Sequence, residues 1–299
     1  METLKIILLT AVIITADKLI DKHFHLHKTL SIAVKIALLL IFFKAAAKIL
    51  QNKVPFVPSK EITLTPKDLS MQYKTINIKS SGVTIKAWLL YTTKKDNKKA
   101  PYIIYCHGNA GNISGRLNIA NSFLKEGFNV MLFDYRGYGE STGKPSEKGI
   151  YQDAVSVYEY LIKEEKIPYN KINILGISLG CNAALYITAL KKANTLILVS
   201  PITSAKDIAK KMPVYYIFSY FIDDILNNKK LIKKIQIPIL IAHSKEDTTV
   251  PYEMGKKLFE LCPSKDKEFI TLSGEHSEDY FFEKNFMDKI KKFILKHSK

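Results

Sequence analysis

The pentapeptide Gly176-Ile177-Ser178-Leu179-Gly180 sets a serine between two glycines. It follows the apolar run Ile172-Asn173-Ile174-Leu175, which reads as a buried strand, and leads into Cys181-Asn182-Ala183-Ala184-Leu185-Tyr186-Ile187, which reads as a helix. Strand, tight turn and helix at this spacing make a nucleophile elbow, lifting a hydroxyl clear of the sheet beside the positive end of a helix. The glycines let strand and helix pass closely. A serine hydroxyl is a weak nucleophile near neutral pH and needs a histidine base held by a carboxylate. Asp247, in His243-Ser244-Lys245-Glu246-Asp247-Thr248-Thr249-Val250-Pro251, and His276, in Gly274-Glu275-His276-Ser277, each follow an expected strand. Both therefore fall on the rim where strands end, with Ser178. Glu246 is the rival acid; His243, inside a strand end, and His297, in the terminal tail, are the rival bases.

The chemistry is acyl transfer, whose tetrahedral intermediate needs N–H donors for its oxygen. The backbone amide of Leu179 supplies one. The other comes from Asn109 or Ala110 in the loop His107-Gly108-Asn109-Ala110-Gly111-Asn112, where glycines allow amides to turn inward. His107 reads as a brace for that loop rather than a second base. In Asp134-Tyr135-Arg136-Gly137-Tyr138-Gly139-Glu140-Ser141, a hydrogen-bonded turn is favoured over an anion site at Asp134 and Arg136.

These residues need an alternating frame of strands and helices. Strands are expected at 102–106, 130–134, 172–175, 196–200, 239–243 and 268–272, and helices near 115–126, 150–165, 179–192, 253–261 and 278–296. The apolar runs lack period-two polarity, as in parallel strands covered on both faces. Segments 74–78 and 84–91, around Ser80-Ser81-Gly82, read as an edge hairpin. Residues 202–236 interrupt the alternation with an aromatic cluster, Tyr215 to Phe221, and read as a short helical cap whose apolar face suits an acyl substrate. Residues 1–53 form a separate hydrophobic segment and 54–299 the main domain. Pro55, Pro58 and Pro66 mark the extended chain between them.

Within 1–53, Leu4–Ala16 is a weak apolar stretch and Leu30–Leu50 a stronger one, long enough to cross about 30 Å of hydrocarbon. Lys35 and Lys44 interrupt it, so a span, a hairpin and an interfacial helix all remain open. Lys44, Lys48 and Lys53 place the main domain on the cytoplasmic side by the positive-inside rule, while Lys18, Lys22 and Lys28 weigh against it. His23, His25 and His27 alternate, but no cysteine or carboxylate frame completes a metal site. The net charge of +17 rests on lysine, with arginine only at Arg116 and Arg136. A nucleic-acid reader would cluster arginine and aromatics on one face, so lysine-rich solvated faces near lipid are the better reading. Cys106, Cys181 and Cys262 are few, odd in number and without metal spacing, which suits a reducing compartment.

Together the loop at His107, the turn at Asp134 and the elbow at Ser178 resemble the α/β-hydrolase superfamily, an α/β fold with a mostly parallel central sheet and helices on both faces. More narrowly they are similar to its serine aminopeptidase-like branch, which includes membrane-anchored members. Phe56-Val57-Pro58-Ser59-Lys60-Glu61 after a hydrophobic helix adds to that likeness. The resemblance implies Ser178 as nucleophile, Asp247 as acid, His276 as base, and the Leu179 and Asn109 or Ala110 amides as oxyanion hole. It implies no metal or organic cofactor. Cys181 departs from the glycine usual after the elbow, and Ser244 from the usual His-Gly before the acid loop. The expected activity is hydrolysis of an acyl ester or thioester of a small or lipidated substrate at a membrane, without nucleic acid. The alternatives are an aminopeptidase-type amide hydrolase and a non-catalytic tethered binding protein.

Overall fold

Five- to six-residue apolar runs that alternate with amphipathic helices have one economical solution, a parallel sheet buried on both faces. The computed structural model takes that form and describes residues 28–51, 55–94, 97, 99–276 and 278–298. Leu4–Ala16, the three alternating histidines and Lys53 lie outside the described residues. The described chain runs α1 (Lys28–Gln51), β1 (Val57–Pro58), β2 (Gln72–Ser80), β3 (Val83–Tyr91), β4 (Tyr102–Cys106), β5 (Ala110–Gly111), α2 (Leu117–Glu126), β6 (Asn129–Phe133), α3 (Glu147–Lys163), β7 (Ile172–Ile177) and α4 (Gly180–Leu190). It continues with β8 (Thr195–Val199), α5 (Ala205–Ala209), α6 (Asn228–Ile232), β9 (Ile239–Ser244), α7 (Tyr252–Leu261), β10 (Lys267–Leu272) and α8 (Lys284–His297).

The main sheet has the order β10-β9-β8-β7-β4-β6-β3-β2. Its pairings are parallel from β10 to β6, and antiparallel where β3 joins β6 and β2 joins β3. Every residue of β4, β6, β7 and β8 is buried, which is why these strands read as unbroken apolar runs. Alternate residues serve opposite layers. Ile103, Tyr105, Leu175 and Ile177 share one core with Phe123 of α2 and Phe286, Ile290 and Phe293 of α8. Gly176 faces the other layer, where a Cβ would come within 2.8 Å of that of Ala184 on α4.

The element ends follow local chemistry. Helix α2 stops at Gly127, whose φ of 95° lets its N–H return to Leu124 O while Phe128 N–H returns to Phe123 O. Helix α3 starts at Ser146, whose hydroxyl accepts from Gly149 N–H at 3.1 Å. The last helix begins later than the periodicity predicts, at Lys284, because a 3₁₀ turn at Asp279–Phe282 tucks Tyr280 and Phe281 into the core first.

Two compact units emerge. One comprises Pro55–Ala205 with Leu226–Lys299, and holds the sheet; the other joins the N-terminal segment to Lys206–Ile225. Where the chain departs for and returns from 206–225, Asn228 closes the neck, its N–H donating to Thr203 O at 3.0 Å and its side chain to Ile202 O at 2.8 Å. In the second unit α1 is helical throughout, and Leu30–Ile49 is long and apolar enough to cross a membrane. The excursion contributes short pieces, part of α5 and 3₁₀ turns at Pro213–Tyr215 and Phe218–Tyr220. Phe221 stacks on Phe43 of α1 at 5.5 Å, Phe218 meets the same ring edge-on, and Gln51 exchanges two hydrogen bonds with Asp223.

Candidate active site

Ser178 sits between β7 and α4 with φ at 52°, in the left-handed region that a β-carbon disfavours. The turn is held there because Ser178 N–H donates to Val199 O and Ser178 O accepts from Cys181 N–H. Gly180 is obligatory, since a Cβ at that position would lie 2.0 Å from Cys106 O. Cys181 fits without crowding the layer, its buried thiol turned back onto Gly176 O at 3.1 Å and Val199 O at 3.4 Å. Burial raises that thiol far above its ordinary range, so it stays protonated and structural.

Asp247 and His276 converge across about thirty residues of chain. Nδ1–H of His276 donates to Asp247 Oδ2 at 2.7 Å, which leaves Nε2 as the imidazole's free basic nitrogen. The other carboxylate oxygen accepts from Thr249 N–H at 3.0 Å and Val250 N–H at 2.6 Å. Burial pushes the Asp247 carboxyl up, but hydrogen bonds from His243, His276 and the Val250 amide outweigh it and hold the group well below the usual carboxylate range. Glu246, the rival acid, accepts instead from Gly274 N–H. Of the rival bases, His243 stands beside the same carboxylate, its Nε2 3.4 Å from Asp247 Oδ2, but is fully buried and outside the cavity lining. The same Nε2 lies on Val250 O at 2.8 Å, and His297 lies by Asp266.

Ser178 and His276 line one cavity of about 180 Å³ with Gly108, Asn109, Ala110, Ile177, Ser200, Arg116 and Glu278. Leu179 follows Ser178 as the cap residue just before α4, with φ at −53°. Three successive carbonyls of the facing loop are engaged: Asn109 O accepts from Val57 N–H and Tyr138 Oη, Gly111 O from Ser59 N–H, and Ala110 O from Arg116 Nη2. Behind the loop, His107 is buried against Tyr135 and Tyr138, with Nδ1 on Gly108 O. Burial, then the Arg116 charge, lowers its pKa to about 3, so it is a neutral brace. Asp134 accepts from Ile113 N–H, and burial raises its pKa to about 7. Arg136 is bonded to the buried Asp153 through its guanidinium and its N–H, so it belongs to the turn.

Two cavity residues carry no motif that sequence reasoning could have used. Arg116 donates to Ala110 O at 2.8 Å and pairs with Glu278 at 3.1 Å, so one guanidinium ties the Asn109–Ala110 loop to the chain just after His276. Tyr105 Oη also reaches Glu278, at 3.4 Å. Burial raises the Glu278 carboxyl, against the lowering pull of Arg116.

Residues 101–216 match the family model for the alpha/beta hydrolase fold. Protein bem46 of Schizosaccharomyces pombe is 35% identical over 218 residues, covering 71% of this chain and 73% of that protein. The chain belongs to the α/β-hydrolase family. As a member it is a serine hydrolase. It is also similar to a lysophosphatidylserine lipase, ABHD12 of Rattus norvegicus, at 35% identity over 182 residues. That match covers 54% of this chain and only 45% of the lipase, so the hydrolase spans about half the relative's length. Among solved structures an esterase of Pyrococcus furiosus shares the fold, with a TM-score of 0.67, 22% identity, and coverage of 81% of this chain and all of that one.

Proposed function

We propose that this hydrolase cleaves the acyl ester or thioester of a single-chain lipid at a membrane surface, through a Ser178–His276–Asp247 triad. The observation that carries the reading is the His276–Asp247 hydrogen bond of 2.7 Å at a cavity that Ser178 enters from a strained turn. His276 Nε2 takes the proton as Ser178 Oγ attacks the carbonyl carbon. The resulting oxyanion takes hydrogen bonds from the amides of Leu179 and of Asn109 or Ala110. As the intermediate collapses, His276 returns the proton to the leaving alkoxide or thiolate, and the acyl group stays on Ser178. Water, activated by the same imidazole, then frees the acid. Asp247 stays ionised throughout and stabilises the imidazolium. The lipid preference is supported by α1, which brings the chain to acyl substrates, and by the name of the lipase relative. Lys44 and Lys48 at the end of α1 support a cytoplasm-facing catalytic unit.

A fluorophosphonate probe tests the nucleophile: labelling of wild type and loss of labelling in folded Ser178→Ala is the expected result. Label that persists in the alanine variant would overturn it. Lysophosphatidylserine, monoacylglycerol, acyl thioesters and aminoacyl amides then rank the substrate class, with faster amide cleavage favouring the aminopeptidase reading. Asp247→Asn should lower turnover by about 10⁴-fold with substrate binding retained, and Glu246→Gln should not.

A further inference from the structure

The packing of segment 206–225 on α1 sets its depth wherever α1 enters a bilayer. Phe221 and Phe218 meet α1 at Phe43, while Asp223 meets it at Gln51. The apolar stretch of α1 runs to Ile49, about 9 Å of helix rise beyond Phe43 at about 1.5 Å per residue. A helix crossing hydrocarbon to that point carries Phe218 and Phe221 below the headgroups with it. Lys44 and Lys48 do not oppose this depth, since both are exposed on the last turns, where lysine stems reach up to phosphates.

The outward residues of the segment have the composition such a position demands. Ile217 is 58% exposed and Tyr220 61%, alongside exposed Met212 and Tyr216. The helix that the segment packs on exposes large apolar side chains of its own, at Leu39, Leu40 and Ile41. The Tyr216 and Tyr220 hydroxyls share a hydrogen bond of 2.9 Å, and tyrosine is enriched where hydrocarbon meets headgroups. Lys210 and Lys211, exposed just before Met212, suit the phosphate layer.

We infer that Met212–Tyr220 is a second membrane contact of this protein, lying in the interfacial layer of the phospholipid leaflet that α1 enters. The inference rests on the membrane association of α1 and is independent of the triad. The excursion between β8 and β9 thus holds a lipid surface and clasps the anchor from the side.

The test is nitroxide labelling of the full chain in phosphatidylcholine–phosphatidylserine nanodiscs, at Ile217→Cys and separately Tyr220→Cys, with Leu40→Cys as reference. The native cysteines are buried. Collision with oxygen and with a water-soluble nickel chelate, calibrated on spin-labelled lipids, reads the depth. Ile217 and Tyr220 are expected about 5–10 Å below the phosphates, with Leu40 deeper. Nickel accessibility at both positions equal to bulk water, with Leu40 in lipid, would overturn the inference. Strong label-to-label coupling without lipid contact would put a second copy there and overturn it too. If Leu40 is itself in water, the anchor reading fails and the inference with it, while the triad stands.

Discussion

Arg116 is the residue on which two halves of the proposed reaction would depend at once. Its Nη2 holds Ala110 O and its Nη1 holds Glu278, so the loop proposed to bind the oxyanion and the loop bearing the proposed base share a fixed point. Lysine has one ammonium and cannot reproduce a two-pronged guanidinium. Arg116→Ala and Arg116→Lys should therefore both lower kcat, by up to about 10²-fold, with KM little changed, because misplacement by about 1 Å costs that much. The alanine variant also removes the largest of the influences that oppose burial at Glu278, leaving Tyr105 and His276 to oppose it. Its carboxyl therefore rises further, and the acid limb of the pH–rate profile moves to higher pH. Unchanged kcat with an unmoved acid limb would show the pair to be inert. Asp247 behaves oppositely, since its folded pKa is depressed. Its ionised form contributes stability above the unfolded value of about 3.9, and that contribution is lost as pH falls through the folded value.

At the scale of elements, the approach of β4, β7 and α4 leaves no room at Gly180. Gly180→Ala would put a carbon 2.0 Å from Cys106 O, between two buried elements. It should cost more than about 3 kcal/mol in denaturant unfolding, or prevent folding, as overpacking against backbone does. Gly115, with open space where its Cβ would stand, is the control, and Gly115→Ala should stay within about 0.5 kcal/mol. A wild-type midpoint for Gly180→Ala would refute this account of the elbow. The elbow was legible beforehand because the constraint is local: strand, glycine, serine, glycine and helix are consecutive. The parallel strands were legible for a similar reason, since burial on both faces writes an unbroken apolar run. Asp247 and His276 were legible only as residues after strand ends, and their meeting needed the sheet order. The Arg116–Glu278 pair spans some 160 residues and leaves no periodicity. Likewise, the aromatic run at Tyr215–Phe221 announced an apolar surface but not that Phe43 would take two of its rings, because the run is short, irregular and helical only in fragments.

For the whole molecule, the aromatic excursion and the N-terminal helix are mutual cover. A chain trimmed to begin at Pro55 keeps the sheet, both rims and every proposed catalytic residue, but leaves Phe218 and Phe221 without Phe43. Such a protein should self-associate or retain detergent on size-exclusion chromatography. Phe218→Ser with Phe221→Ser should return it to a monomer that labels with fluorophosphonate. A monodisperse trimmed chain with both phenylalanines intact would show that α1 is dispensable cover. The clasp between α1 and 206–225 also has a consequence in time. Phe43 leaves the ribosome 178 residues before Phe221, an interval of roughly 10–35 s at about 5–20 residues per second. Throughout that interval the two rings that the excursion lays on Phe43 have not yet been made, which leaves that contact face to the bilayer or a chaperone until the excursion arrives.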